Sequence, residues 1–426
     1  MALGPAKIRT GRRKVVLVWV VVCLAMAIWP VNLGWEWYRA DREWTAAERA
    51  IQGRDLAAAA THLTSYQQLR PSDPAGWFLS ARTARRLGHY AEAERHIEQC
   101  EQLGGETEST RLERDLLEVQ QGNLGEVDSR LRATIDPSHA DASIVLEALA
   151  RGYVTSDRWA DARQACEMWR ALQPDQPGPW LWSGLISERQ AQLEQASEFY
   201  RKAMEAAPEE RDPRAATARV LLRRRQSVQA LEHFEWLLAR QPNDQEAILG
   251  LAECRIELGR ADEAFPLLER ALARDPLSFS GLFLSGKAAL ERRDAISAEG
   301  FLRKAVRVEP GNPEALHSLV QSIRVQGKDA EAKVLEKQHE ELQRDLRRLG
   351  DLMRTITARL EDAAPCHEAG IIAIRVGRIK QGVNLLHEAL RRTGDHRATH
   401  AALAAYYTRV GPADRADFHQ RLADRP

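Results

Sequence analysis

The sequence of 426 residues predicts an all-α protein, a right-handed α-solenoid of repeated helical hairpins preceded by one transmembrane helix. Three observations predict this fold class. Ala, Leu, Arg and Glu dominate the composition, and these residues favour helices. A pattern of small residues and prolines recurs every 34 residues through the middle of the chain. An apolar run of nineteen residues without a charge stands near the N-terminus.

The apolar run, residues 15–33, is the first predicted element. A basic segment without acids, residues 1–14, precedes it, and Trp35, Trp37 and Tyr38 follow it. At about 1.5 Å per residue, a helix over this run spans roughly 28 Å, close to the thickness of a bilayer's hydrocarbon core. The basic residues predict that the N-terminus stays in the cytoplasm. The repeats are then expected on the exported, periplasmic or extracytoplasmic side.

A cleaved signal peptide is the alternative interpretation of the same run. Ala25, Met26 and Ala27 have the small-x-small form that signal peptidase accepts, so cleavage would follow Ala27. The apolar run continues through Ile28 and Trp29, and the aromatic flank suits a helix that stays in the membrane. We therefore expect a retained anchor, and both interpretations export the rest of the chain.

Four consecutive units that begin at residues 177, 211, 245 and 279 keep one pattern without an insertion. Positions 8 and 20 of each unit are small, which allows the two helices of a hairpin to approach closely. Position 32 is proline, which ends the second helix. Glycines at position 15, such as Gly259 and Gly327, suit the turn between the helices. Positions 8, 20 and 32 are Gly184, Ala196, Pro208, Ala218, Ala230, Pro242, Ala252, Ala264, Pro276, Gly286, Ala298 and Pro310.

This pattern resembles the tetratricopeptide repeat family. The likeness is regular over residues 143–329 and looser over 40–142 and 363–426, where the unit from 108 carries Asp115 at a position for a small residue. The resemblance implies a scaffold that binds protein partners. The pentatricopeptide family, which reads RNA, has a similar pattern. Because 61 basic residues balance 61 acidic ones, we expect no nucleic acid partner.

The resemblance also implies that the first helix of each hairpin lines a concave groove. The groove positions combine basic residues and one tryptophan with interleaved acids such as Glu253, Glu257 and Glu291. This mixture suits an extended peptide segment or an acidic tail of a partner. The alternative for each residue is a solvated helix face. The predicted groove residues are Arg151, Trp182, Leu185, Arg189, Arg219, Arg223 and Lys287.

Residues 330–362 form a charged segment with apolar residues at heptad spacing, which we call the heptad stripe. The stripe predicts either a contact with a second copy of the chain or burial against other helices of the same chain. Gly350 is a point at which the helix could break in two. The heptad stripe consists of Leu342, Leu346, Leu349, Met353, Ile356 and Leu360.

The sequence carries no motif that predicts an enzyme or a cofactor. The five cysteines are far apart in the sequence and form no C-x-x-C pair. His396 and His400 have the spacing of two metal ligands on one helix face, but they lack the acid of H-E-x-x-H. We therefore expect exposed helical histidines and no metal site.

Three functions remain open on the sequence. The first is a membrane-anchored scaffold that organises an envelope complex through the groove. The second is an accessory or regulatory subunit of an enzyme, or of a metal or haem delivery system. The third is a homo-oligomeric scaffold assembled through the heptad stripe.

Overall fold

The computed structural model describes residues 35–53, 55–105, 107–135, 141–358, 361–393 and 396–424. In these ranges the regular elements are α-helices and no strand occurs, which confirms the all-α prediction. None of the helices in these ranges is long and apolar enough to cross a membrane. The predicted basic segment 1–14, the predicted transmembrane run 15–33 with the cleavage point after Ala27, and Leu360 of the heptad stripe lie outside them.

The chain divides into two compact units between Ala207 and Pro208. Consecutive helices of the first unit pair into hairpins at the predicted spacing. Its described helices are α1 (35–52), α2 (Leu56–Leu69), α3 (Pro74–Leu87), α4 (Tyr90–Gly104), α5 (Glu108–Gln120), α6 (Gly125–Ala133), α7 (Ala142–Thr155), α8 (Trp159–Leu172), α9 (Pro177–Arg189) and α10 (Leu193–Ala206).

The second unit continues the same alternation, with one helix of double length, α18. Its described helices are α11 (Arg211–Arg223), α12 (Ser227–Arg240), α13 (Gln245–Glu257), α14 (Ala261–Arg274), α15 (Phe279–Glu291), α16 (Ala295–Val308), α17 (Pro313–Val325), α18 (Asp329–Ala358), α19 (Ala364–Arg375), α20 (Ile379–Arg392), α21 (Arg397–Val410) and α22 (Ala413–Ala423).

Small residues hold the two helices of a hairpin together, as the pattern predicts. A Cβ atom on Gly184 of α9 would lie 2.4 Å from the ring of Tyr200 on α10. In the next hairpins Ala230 and Ala264, both at position 20, are fully buried. The close approach therefore excludes larger side chains at these positions.

The turn between the two helices has a left-handed residue at position 15. Gly259 has a φ of +72° and Gly327 a φ of +74°, as expected. Ala191, Arg225 and Arg293 take the same conformation, with φ between +59° and +61°. Because a side chain disfavours this region, these turns carry local strain that the glycine rule did not anticipate.

A recurrent hydrogen bond joins successive hairpins at position 4. The indole Nε1 of Trp180 donates to the carbonyl oxygen of Pro174 at 2.8 Å, and Trp77 bonds Pro71 in the same way at 2.9 Å. Each acceptor belongs to the proline that follows the C-cap of the preceding helix, so each bond ties the loop after one hairpin to the first helix of the next. Proline at position 32 therefore ends one helix and also offers an acceptor to the next hairpin.

The irregular unit from residue 108 has a short second helix, α6. Asp115 at its position 8 pairs with Arg130 of α6, with 2.7 Å between Asp115 Oδ1 and Arg130 Nη2. The helices α5 and α7 approach so closely that a Cβ atom on Gly152 would lie 2.3 Å from the carbonyl oxygen of Val119. Within the hairpin of α5 and α6, the ion pair between Asp115 and Arg130 therefore replaces the usual contact of small residues.

The heptad stripe lies on α18, which runs through Gly350 without a break. Leu349 and Ile356 are buried in a cluster with Cys366 and Ile372 of α19, and Leu342, Leu346 and Met353 pack against that cluster. Leu349 and Ile356 are therefore buried within the chain, as the second alternative expects, whereas Leu342, Leu346 and Met353 are half-buried. A contact with a second copy of the chain through this stripe stays a prediction.

Candidate functional site

The first unit contains four of the predicted groove residues. Arg151 on α7 donates from Nη1 to the carbonyl oxygen of Arg86 at 3.2 Å, and its guanidinium lies 5.9 Å from the ring centre of Tyr90. Trp182 is half-buried and packs against the core around α7 and α8. Leu185 is also half-buried, whereas Arg189 is exposed. Trp182 therefore contributes to packing against the preceding repeat, and Arg151 joins its repeat to the one two repeats earlier.

A buried ion pair that the sequence interpretation missed occupies groove positions of the first unit. Arg85 on α3 is 1% exposed and Glu113 on α5 is fully buried, and the two side chains form a hydrogen-bonded pair. Arg82 approaches the same carboxylate, with 3.4 Å between Arg82 Nε and Glu113 Oε2. The sequence signal for this ion pair was an arginine at position 12 of one repeat and a glutamate at position 6 of the next. Charges buried in this way hold neighbouring helices and are not available to a partner.

In the second unit, acids of the following repeat neutralise part of the predicted basic surface. Arg219 Nη1 lies 3.0 Å from Glu246 Oε1. Arg211 contacts the same glutamate at 2.7 Å through Nη2 and Asp244 at 2.7 Å through Nε. Arg223 is exposed at the end of α11. A partner's acid would therefore have to compete with Glu246 for Arg219.

Lys287 on α15 differs from these arginines, because it stands between two open cavities. One cavity, of about 520 Å³, lies beside the hairpin turns and includes Arg225, Glu257 and Glu291 in its walls. The other, of about 480 Å³, is lined by α15, α17 and α18. Among the described residues, no carboxylate oxygen lies within 4.0 Å of Lys287 Nζ. We call Lys287 and these two cavities the Lys287 surface.

The carboxylates around Lys287 give the surface a mixed charge. Burial raises the pKa of Glu253 and of Glu291 above the ordinary value, and the charge of Lys287 offsets part of this effect for both. Glu257 accepts hydrogen bonds from Arg225 and Ser227. The surface therefore has one free ammonium group among acids that repel further negative charge.

The cavity between α15, α17 and α18 adds an aromatic wall and polar groups. The ring of Phe283 lies 5.7 Å from Lys287 Nζ and stacks on Phe279 with 5.7 Å between ring centres. His317 of α17 and His339 of α18 line the opposite side, with 5.5 Å between their ring centres. A side chain that enters this cavity would meet an apolar face, a cation and hydrogen-bonding groups together.

His396 and His400 do not act together, despite their spacing of four residues. His396 contacts Thr399, whereas His400 contacts His419 of α22. The expectation of exposed histidines is wrong for His400, which is 5% exposed because α22 folds over it. No group of three His, Cys, Asp or Glu residues in the described ranges has a geometry that could hold a metal ion.

The cysteines in the described ranges are free and buried. Burial raises the pKa of the thiols of Cys166 and Cys254 to about 12. Thiols of this kind are unreactive at neutral pH, because the thiolate is the nucleophile. Their environment is that of packing residues.

The fold and these surfaces define a protein of repeated helical hairpins with open surface cavities. Family models described as tetratricopeptide repeat match residues 178–210, 215–279 and 256–313. The chain therefore contains tetratricopeptide repeats in this region, and proteins with these repeats generally mediate interactions between proteins. No curated protein sequence matches the chain.

Several solved structures are similar in fold. YrrB, a tetratricopeptide repeat protein with an unusual peptide-binding site, is 20% identical, with a TM-score of 0.38 over 44% of this chain and 96% of its own. The type IV pilus biogenesis factor PilW is 19% identical, with a TM-score of 0.44 over 47% and 93%. Human IFIT1, solved as a dimer with m7Gppp-AAAA, is 16% identical, with a TM-score of 0.42 over 82% and 89%.

Proposed function

We propose that this chain is a membrane-anchored scaffold that binds a peptide segment of a protein partner on the Lys287 surface and thereby organises an envelope complex. The observation that carries the proposal is the position of Lys287 between two open cavities without an ion-pair partner in the described chain. Peptide-binding grooves combine such a charged group, which fixes the orientation of the ligand, with cavities that receive its neighbouring side chains.

The charges of the surface limit the partner's chemistry. One carboxylate of the partner can approach Lys287 and displace water from the ammonium group. A run of acids would instead be repelled by Glu253, Glu257 and Glu291, which surround the same lysine. We therefore propose a segment with a single acid flanked by apolar side chains, one of which contacts Phe283, and not a polyacidic tail.

Anchoring by residues 15–33 is part of the proposal, with the N-terminus in the cytoplasm and the repeats on the exported side. Support comes from the start of α1, where Trp35, Trp37 and Tyr38 are 59%, 61% and 57% exposed. Three exposed aromatic side chains directly after an apolar run suit the interface between lipid and water. Protease protection in spheroplasts tests the orientation, because added protease should degrade the repeats only when they lie outside the inner membrane. Degradation only after lysis would contradict it.

A charge reversal tests the binding surface. We expect Lys287→Glu to remove the partner from the set of proteins crosslinked to the full chain in native membranes, because a further acid would join those that already line the surface. The matched control is Lys304→Glu, which makes the same charge change on the exposed side of α16. Loss of a crosslinked protein in the first variant and its retention in the second supports the proposal. An unchanged set of crosslinked proteins in Lys287→Glu refutes it.

A further inference from the structure

Five histidines gather where the hairpin of α21 and α22 packs against α19 and α20. His367 of α19 and His387 of α20 come from the body of the second unit. His396, which precedes α21, His400 of α21 and His419 of α22 come from the hairpin. We call this hairpin the C-terminal cap. The proposed binding of a partner at Lys287 uses none of these side chains.

The closest contact among them joins the two helices of the cap. Nδ1 of His400 lies 2.9 Å from Nδ1 of His419, and the two residues are 5% and 6% exposed. A hydrogen bond at this distance requires one nitrogen to donate and the other to accept. When both rings are protonated, each Nδ1 carries a hydrogen and the two donors face each other. The buried contact can therefore hold at most one extra proton.

The groups that face His419 add positive charge and no negative charge. The ring of His387 on α20 lies 6.1 Å away, and Tyr407 of α21 stacks on His419 at 5.7 Å. Burial lowers the pKa of His419, and His400, His387 and Arg415 lower it further. Burial likewise lowers the pKa of His387, with further contributions from Arg415 and Arg391. In the described chain, no carboxylate contributes to either shift.

A second histidine contact joins the cap to α19. The rings of His367 and His396 lie 5.0 Å apart, and Thr399 Oγ1 lies 2.9 Å from Nδ1 of the first and 2.7 Å from Nδ1 of the second. Burial and the charge of His396 lower the pKa of His367. Glu368 opposes this effect, but its carboxylate is held by Arg348 at 2.7 and 2.8 Å. Protonation therefore places like charges on both sides of this junction as well.

We infer that the C-terminal cap is a pH-sensitive element whose two helices separate from each other and from α19 and α20 as the pH falls below about 6. Separation exposes the apolar side chains that the cap now covers, among them Ile371, Ile374, Val383 and Leu386. Acidification would thus expose an apolar surface on α19 and α20.

The direction of the pH effect on closure follows from proton binding. The pKa values of His367, His387 and His419 lie below the ordinary histidine value in the closed cap, so the open cap binds more protons in acid. Closure is fully favoured above pH about 6.5 and weakens as the pH falls below that value. At pH 5.5, each proton that the closed cap excludes weakens closure by about tenfold.

Hydrogen exchange of the full chain, followed by mass spectrometry at pH 7.5 and 5.5, measures the opening. After correction for the intrinsic exchange rate, we expect amides of α21 and α22 to lose at least about tenfold protection at pH 5.5, from one excluded proton. Amides of α13 to α16 should have the same protection at both pH values. Equal protection of α21 and α22 at both pH values overturns the inference.

Variants separate the histidine contact from a general effect of acid. In His419→Gln, the amide can still bond to His400 but cannot take up a proton, so the pH-dependent loss of protection should be about tenfold smaller than in the wild type. His89→Gln is the control, because His89 is an exposed histidine with a side chain 60% exposed at the turn before α4, and it should keep the full loss. If circular dichroism shows that His419→Gln does not fold at pH 7.5, His387→Gln replaces it and should show a smaller loss than the wild type. The same loss in every variant would overturn the inference.

Discussion

Replacement of Gly152 by alanine is the sharpest test of the contact between α5, in the irregular repeat from residue 108, and α7 of the next repeat. A Cβ atom at this position would lie 2.3 Å from the carbonyl oxygen of Val119 and 2.6 Å from its Cγ1. The oxygen belongs to the backbone of α5, so it cannot turn aside as the end of a long side chain can. The helices α5 and α7 must therefore move apart, and the variant reports directly on their distance.

The magnitude follows from that distance. An ordinary contact between carbon and carbonyl oxygen is about 3.3 Å or more, so the helices must separate by about 1 Å. Overpacking of this kind costs about 1–3 kcal/mol, and the rigid backbone oxygen of Val119 places Gly152→Ala near the upper end. Alanine recovers about 1 kcal/mol through its better helix propensity. The net loss is about 2 kcal/mol, which corresponds to a fall in Tm of roughly 4–8 °C for a unit of this size.

Tryptophan fluorescence during thermal unfolding of the full chain is the assay, because ten of the 11 tryptophans precede residue 208 and therefore report on the first unit. Gly300→Ala on α16 is the control, since a Cβ atom there would meet nothing within 4 Å. Measured by circular dichroism, it should stabilise the second unit by about 0.5–1 kcal/mol. An unchanged or higher Tm in Gly152→Ala would show that α5 and α7 are not in this close contact.

Two further predictions concern the turns and the buried thiols. Ala191→Gly should stabilise the protein by about 0.5 kcal/mol, because relief of the positive φ outweighs the added freedom of the unfolded chain; a loss of stability in chemical denaturation would contradict the left-handed turn. Cys166 should react with iodoacetamide at pH 8 far more slowly in the folded chain than in denaturant, because burial raises the pKa of its thiol to about 12. Equal rates in peptide mass spectra would contradict that burial.

The positions of the small residues were predictable because the contact between the two helices requires them in each repeat. Position 20 must be small where two helices touch, so Ala230 and Ala264 mark the hairpins in the sequence as clearly as in the structure. The turns were less predictable. Ala191 and Arg225 adopt the conformation that glycine has elsewhere, since the helices on either side fix the turn whatever residue occupies it.

The partners of charged residues were harder to predict, because they lie on other elements. The contact of His400 with His419 depends on how α22 folds over α21, which the spacing of His396 and His400 does not contain. The pairing of Arg219 with Glu246 does have a sequence signal, since the two residues lie 27 apart at positions 9 and 2 of consecutive units. If it is applied to every repeat, this spacing distinguishes arginines that pair with an acid of the next repeat from arginines that are available to a partner protein.

The same pair of positions explains why the Lys287 surface is open, and it provides a last prediction. Two units after Arg219 and Glu246, positions 9 and 2 are Lys287 and Glu314, which line one cavity without forming an ion pair. An arginine has a longer reach and a guanidinium group that can bind both oxygens of a carboxylate.

Lys287→Arg should therefore form an ion pair with Glu314, as Arg219 does with Glu246, and should weaken crosslinking of the partner although the charge is kept. Double replacement of Lys287 by Arg and Glu314 by Gln should restore it. Full crosslinking in the single variant would show that charge at position 287 is sufficient and that the missing pair does not create the site.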